Sequence, residues 1–204
     1  MSCQTRITTR FTARFTTHFR ALIYGLPLAL TLAACGSVPP APGDTFYRLQ
    51  AVSTLSPPAG SLSVRSLRAD SLYAERPIIY SEESNPRQLR QYHYHLWLYP
   101  PAQLVQEHLA GSLGQSSALN TGSSATYEID GRIVRFERRM SGKQSTAVVA
   151  LELQLTTRGK AGPNKSYQAE QTASDDTLPA FAAAMEQALG KIYAQFLTDT
   201  PLPR

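Results

Sequence analysis

Apolar and polar residues alternate with period two along much of the chain after residue 44, and that alternation predicts a series of strands. Phe46-Tyr47-Arg48-Leu49 opens the series. Leu62 and Val64 then alternate with Ser61, Ser63 and Arg65, and Arg76-Pro77-Ile78-Ile79-Tyr80-Ser81 forms a short apolar strand whose proline belongs at its start or on a sheet edge. The turn residues Glu83-Ser84-Asn85-Pro86 separate it from a strand over Leu89 to Leu96. Tyr127-Glu128-Ile129-Asp130 continues through Gly131 into Val134-Arg135-Phe136-Glu137, and the apolar parity changes near Gly131, where a bulge would explain the switch. After a turn at Ser141-Gly142-Lys143, Val149, Leu151, Leu153 and Leu155 alternate with Ala150, Glu152 and Gln154, and a last strand carries Tyr167 and Ala169. The strands by themselves predict an antiparallel meander.

Two segments switch to helical periodicity. Pro100-Pro101 opens the first, with Val105, Leu109 and Leu113 on one stripe, and it ends in the region from Gly114 to Ser124. The second follows Asp175-Asp176-Thr177, a capping start that also suits the helix dipole. It places Leu178, Phe181, Met185, Leu189, Ile192 and Phe196 three and four residues apart, a stripe that must pack on the sheet. The order strands, helix, strands, helix indicates an α+β fold: one domain with a mixed, largely antiparallel sheet covered by two main helices.

The amino terminus follows neither period. A basic leader reaches Arg20, an apolar run covers Ala21 to Leu30, and Thr31-Leu32-Ala33-Ala34-Cys35-Gly36 follows. This order is that of a secretory signal, and an apolar run of about 14 residues is roughly 21 Å of helix, too short for a comfortable span of about 30 Å of hydrocarbon. Leu32-Ala33-Ala34-Cys35 resembles a bacterial lipobox, in which Leu32, Ala33 and Ala34 fit the signal peptidase and the Cys35 thiol receives the lipid. An ordinary signal peptide, or a transit peptide rich in Arg and Thr, is the competing account. The resulting layout is a lipoprotein signal peptide over 1–34, a lipidated cysteine with a Pro-rich tether over 35–44, a folded domain over 45–198 and a tail over 199–204.

Composition changes the picture in two places. Of the 20 Lys and Arg, four lie before Cys35, while all 15 acidic residues lie beyond position 43, so the chain from Cys35 onward is close to neutral. A nucleic-acid partner loses its electrostatic support. The only cysteines are Cys3, within the signal, and Cys35, so a mature lipoprotein keeps no thiol for a disulfide or a zinc site. Two or three acyl chains, at about 0.8 kcal/mol per buried methylene, exceed the two-signal threshold for stable anchoring. That covalent lipid is the only non-protein group expected, with no cofactor and no metal. By resemblance to other bacterial lipoproteins, Gly36 in place of Asp after the cysteine favours the periplasmic face of the outer membrane.

A search for chemistry returns weak candidates. Ala110-Gly111-Ser112-Leu113-Gly114 is one substitution from a Gly-x-Ser-x-Gly nucleophile elbow, but its serine would end a helix rather than top a strand-to-helix turn. His93 and His95 are two apart on a strand and would share a face, yet two ligands do not complete a zinc site. No phosphate-cradling Gly-Lys-Ser/Thr loop is present. A non-enzyme is expected. For contacts with a partner or with lipid, the aromatic residues Tyr92, Tyr94, Trp97 and Tyr99 are candidates, although Trp97 packed beneath the first helix is the simpler account. The run Arg132, Arg135, Arg138, Arg139 and Lys143, with Arg135 and Arg138 as its best candidates, suits anionic headgroups or an acidic partner, and equally a solvated strand face.

Four segments, in order, resemble one family: Phe46-Tyr47-Arg48-Leu49, Ser71-Leu72-Tyr73-Ala74-Glu75-Arg76-Pro77-Ile78-Ile79-Tyr80, Tyr92-His93-Tyr94-His95-Leu96-Trp97, and the terminal helix from Leu178-Pro179-Ala180-Phe181. The family is the auxiliary lipoproteins of ABC-type transport systems that work with MCE-domain lipid-transfer proteins. The resemblance implies an accessory subunit that docks such a system at the outer membrane. Its partners would be an MCE-domain protein and the transporter's permease and ATPase subunits, with a homo-oligomer left open. A lipoprotein of another envelope assembly, such as lipopolysaccharide insertion, is the alternative, and a lipid-anchored hydrolase using Ser112 the third. A large apolar groove would favour direct lipid handling, and a closed domain with an apolar patch would favour docking.

Overall fold

The turn Gly142-Lys143 folds the two longest strands back on each other, and Gly142 supplies the left-handed φ of 59° that such a two-residue turn requires. In chain order the strands of this computed structural model are β1 (Thr45–Tyr47), β2 (Leu62–Val64), β3 (Arg68–Ala69), β4 (Pro77–Glu82), β5 (Asn85–Trp97), β6 (Tyr127–Ser141), β7 (Gln144–Thr157), β8 (Lys160–Ala161) and β9 (Lys165–Thr172). The helices are α1 (Pro101–Ser112) and α2 (Leu178–Asp199), and a 3-10 turn covers Ser71–Ala74. The structure describes residues 40–51, 55, 62–65, 67–114 and 126–200. The chain divides into two compact units, Met1–Pro42 and Gly43–Arg204, and these elements all belong to the second.

They form one mixed sheet in the order β1-β5-β4-β6-β7-β8, with β9 beside β7 and both β2 and β3 beside β6. The expected α+β class, with a mixed sheet and two helices, holds. The meander is only part of it: β4–β5, β6–β7 and β7–β9 are antiparallel, whereas β1 on β5 and β2, β3 and β4 on β6 are parallel. The chain leaves β5, passes through α1 and returns as β6 parallel to β4, and a crossover of this kind is what parallel neighbours require.

One face of the sheet carries the core. Ile129, Ile133, Phe136, Val149, Leu151 and Leu153 meet the stripes of both helices, Val105 and Leu109 from α1 and Phe181, Met185, Leu189, Ile192 and Phe196 from α2. Both helices start where the sequence places them. Thr177 caps α2, its Oγ1 accepting from the Ala180 N–H at 3.2 Å, and Pro101 sits in the first turn of α1, where no N–H partner is lost.

The parity switch in β6 lies three residues beyond the expected position. The register shifts between Ile133 and Arg135, so Val134 is the unpaired bulge residue and is exposed. Gly131 has a different reason for being glycine: a Cβ there would stand 2.1 Å from the Glu152 carbonyl oxygen and 2.9 Å from Leu153 Cδ2. β5 is longer than its apolar stretch suggested, because Asn85 to Gln88 extend the hairpin past the last apolar residue.

Candidate interaction site

The second irregularity of the sheet builds the site. Pro77 pairs with Leu96 and Ile79 with Gln91, so the single residue Ile78 faces four, Tyr92 to His95. A bulge of this size breaks the two-residue alternation expected for the aromatic stretch. Tyr92 and His95 consequently meet, their rings edge to face at 5.5 Å. On one side the His95 ring lies 5.9 Å from that of Tyr47, whose hydroxyl is 3.1 Å from His95 Nδ1. On the other, Tyr92 lies 4.6 Å from Tyr80. Strands β1, β5 and β4 thus share one aromatic row. His93, by contrast, stays exposed beside Tyr94, so the two histidines do not present a common face to a metal.

Arg138 anchors this row from beneath. It is buried, and its guanidinium donates to the Tyr92 hydroxyl at 2.6 Å, to Ser145 Oγ at 2.8 Å and to the Asp176 carbonyl just before α2, with its Cζ 5.9 Å from the Phe181 ring centroid. A buried cation fully engaged in this way is a fastener, and it is withdrawn from any contact with headgroups or a partner. Burial raises the Tyr92 hydroxyl pKa, and Arg138 opposes the rise.

The opposite face of the sheet is laced with charge. Arg132 bridges Glu152 at 3.2 Å and Asp70 at 3.3 Å, Arg139 meets Glu170 at 2.5 Å, and Arg65 meets Glu128 at 2.8 Å. Arg135 pairs with Glu137, which is buried and also accepts from the Tyr73 hydroxyl at 2.6 Å. Burial, and then the hydrogen bond to that carboxylate, push the Tyr73 pKa far above its ordinary value. The basic run is therefore not a free cationic patch. Arg132, Arg135 and Arg139 each neutralise an acid of this chain, Arg138 is turned inward, and Lys143 lies in the exposed turn.

Trp97 is 1% exposed, with its ring 5.3 Å from Phe136 and 5.8 Å from Phe181. It is a core residue with Phe181 of α2 against its ring, and its burial keeps it from any partner. Tyr94 and Tyr99 are exposed, but they leave the sheet in different places: Tyr94 within the bulge, Tyr99 past the end of β5. The sequence reading missed Phe46, Leu72 and Leu89, which are also exposed. Leu72 and Leu89 line a shallow cleft of about 460 Å³ together with Tyr80, Arg90, Gln91 and His93. Their signal was present as apolar residues in otherwise polar segments, but only the sheet brings them together.

The nucleophile motif dissolves into structural roles. Ser112 ends α1 and its hydroxyl donates to the His108 carbonyl at 2.7 Å. Gly111 makes room for Ala51, whose Cβ would lie 2.6 Å from a Cβ at 111, and Gly114 takes a φ of 69° past the helix end. Leu32, Ala33, Ala34 and Cys35 lie outside the described residues. Among the described residues no group of three or more His, Cys, Asp or Glu could hold a metal, and no helix is long and apolar enough to cross a membrane.

The family model of the ABC-type transport auxiliary lipoprotein component matches residues 47–196. A Xanthomonas campestris protein of the family DUF330 superposes with a TM-score of 0.60 at 18% identity, covering 75% of this chain and 92% of its own. An uncharacterized protein superposes with a TM-score of 0.61 at 17% identity, covering 78% and 99%. At these identities the two structures speak for the fold. No curated protein matches.

Proposed function

Because the chain belongs to the ABC-type transport auxiliary lipoprotein components, a membership its match from residue 47 to 196 establishes, we propose that it docks an MCE-type intermembrane lipid transport system at the periplasmic face of the outer membrane. A lipoprotein of this family is an envelope component that serves an ABC transporter. The finer assignment draws its support from the family match together with the lipobox Leu32-Ala33-Ala34-Cys35 and the Gly36 that follows it.

In this reading the protein is a non-catalytic subunit, and ATP is hydrolysed by its partner. Ser112 is occupied within its own helix, and the buried aromatic residues Trp97, Phe136, Phe181, Tyr193 and Phe196 fill the space between sheet and helices. A closed core of this kind favours docking over carrying lipid through the domain. Affinity would come from a protein interface, supported by the high local concentration that an acylated tether imposes.

The test is purification of the epitope-tagged lipoprotein from gently solubilised envelopes, with Cys35→Ala as the control and mass spectrometry of what is retained. Recovery of an MCE-domain protein with its permease and ATPase supports the assignment. Recovery of a different envelope machine, such as a lipopolysaccharide-insertion complex, overturns it and leaves the lipoprotein reading standing.

A further inference from the structure

β1 runs parallel to β5, with Thr45 opposite His95 and Phe46 opposite Leu96. The parallel register therefore points Asp44 and Gly43, just before Thr45, toward the Tyr94 and His93 positions of β5. Cys35 lies ten positions before Thr45, and ten fully extended steps of about 3.6 Å reach roughly 36 Å at most. An anchor on Cys35 thus keeps this edge of the domain within reach of the bilayer surface.

This edge also concentrates exposed apolar surface. Phe46 is 48% exposed and Tyr94 41%, and they belong to β1, where the chain enters the sheet, and to its neighbour β5. The cleft with Leu72 and Leu89 continues the surface through His93, whose ring centroid lies 6.4 Å from that of Tyr94. One cation accompanies it, Arg76 over the Phe46 ring at 4.9 Å, while Arg90, which lines the cleft, is paired with Glu82 at 3.3 Å. Aromatic rings with a polar rim and nearby guanidinium groups are the chemistry that settles at the headgroup level of a membrane. Tyr94 and His93 both lie in the bulged part of β5, where the register with β4 shifts, and both are exposed.

We infer that the β1–β5 edge, with Phe46, His93, Tyr94 and the Leu72–Leu89 cleft, rests on the phospholipid surface that holds the anchor, and so fixes which way the domain faces. This rests on the proposed lipidation of Cys35. It leaves the other edge of the sheet, at β9, directed away from that surface. Tyr99, beyond the opposite end of β1, is not part of the patch: the Leu98 N–H bonds to the Tyr47 carbonyl at 2.7 Å, past the point where the tether leaves.

The mature chain has no free thiol once Cys35 is acylated, so a single added cysteine can be labelled with an environment-sensitive fluorophore. Phe46→Cys, Tyr94→Cys and, on β9, Gln168→Cys would be made in the full lipoprotein. Each would be reconstituted into phosphatidylethanolamine–phosphatidylglycerol vesicles whose acyl chains carry a quencher, and the protein first recovered by flotation. Quenching several-fold stronger at 46 and 94 than at 168 supports the inference. Equal quenching at the three sites, or stronger quenching at 168, in protein that floats with the vesicles overturns it, and is the result expected if the edge serves a protein partner. Acylation-dependent flotation that fails altogether overturns the anchoring reading itself, and the inference with it.

Discussion

Arg138 and Tyr92 come from strands 46 residues apart and are joined by a hydrogen bond of 2.6 Å, which ties the bulge of β5 to the centre of the sheet. Ser145 and the Asp176 carbonyl take two further guanidinium donors, so one side chain locks β5, β6, β7 and the start of α2 together. Arg138→Met keeps comparable volume but strands three acceptors in a buried place. It is expected to cost about 2–4 kcal/mol of unfolding free energy, and Tyr92→Phe about 1–2 kcal/mol, both read from urea melts. A coupling energy near zero in the double-mutant cycle would show that the bond does not join the two strands energetically.

Gly131 is expected to tolerate no side chain. Its Cβ position is occupied by the backbone of β7, and backbone cannot rotate away as a side-chain tip can. Gly131→Ala should cost more than about 3 kcal/mol and lower the amount of protein in the envelope, measured by immunoblot. A wild-type melting curve for this variant would contradict the close approach.

His108 is buried between α1 and Tyr193, and burial lowers its pKa to about 4. The unfolded chain takes up this proton near pH 6.5 and the folded chain only near pH 4, so the stabilisation is fully present above pH 6.5 and is lost as the pH falls between those values. The total is on the order of 3 kcal/mol. Glu186, which accepts from the Gln50 N–H at 2.7 Å, is shifted upward by burial and works in the opposite sense, favouring the fold at lower pH. His108→Phe should flatten the fall in stability between pH 6.5 and 4 in denaturant titrations, and an unchanged slope would place the titration elsewhere.

Tyr73 closes the back of the sheet over Glu137. Tyr73→Phe removes the 2.6 Å bond to a buried carboxylate that Arg135 also engages, and should cost about 1–3 kcal/mol in urea melts. The companion Tyr73→Phe/Glu137→Gln should recover part of the loss, because the remaining neutral amide needs less compensation.

Ser112→Ala removes only a hydroxyl bonded to the helix's own His108 carbonyl. Outer-membrane barrier function in cells carrying it should equal that of wild type, as read from detergent sensitivity. A loss of function with normal protein abundance would revive the hydrolase reading.

Local rules account for what was legible beforehand. Thr177 as a cap, Pro101 in a first turn, Gly142 in a tight turn and the stripe from Phe181 to Phe196 each act over a few residues, so the sequence alone determined both helices, the β6–β7 hairpin and the core they share. The lipobox-like Leu32-Ala33-Ala34-Cys35 is a contiguous signal too, but it lies outside the described residues and remains an expectation of the sequence. Tertiary structure decided what depends on register. The β5 bulge reverses the facing of Tyr92 and His95 relative to an ideal strand, and it exists because Ile78 must keep its place in the core while four residues pass it. Likewise, the sequence left Arg132, Arg135 and Arg139 open between a contact patch and a solvated strand face, and only the fold sets Glu152 and Glu170 beside two of them and Glu137, buried under Tyr73, beside the third. Whether an arginine is free or spent is a matter of which strand lies next to it, and pairing between distant strands leaves no mark in the local alternation from which strands are read.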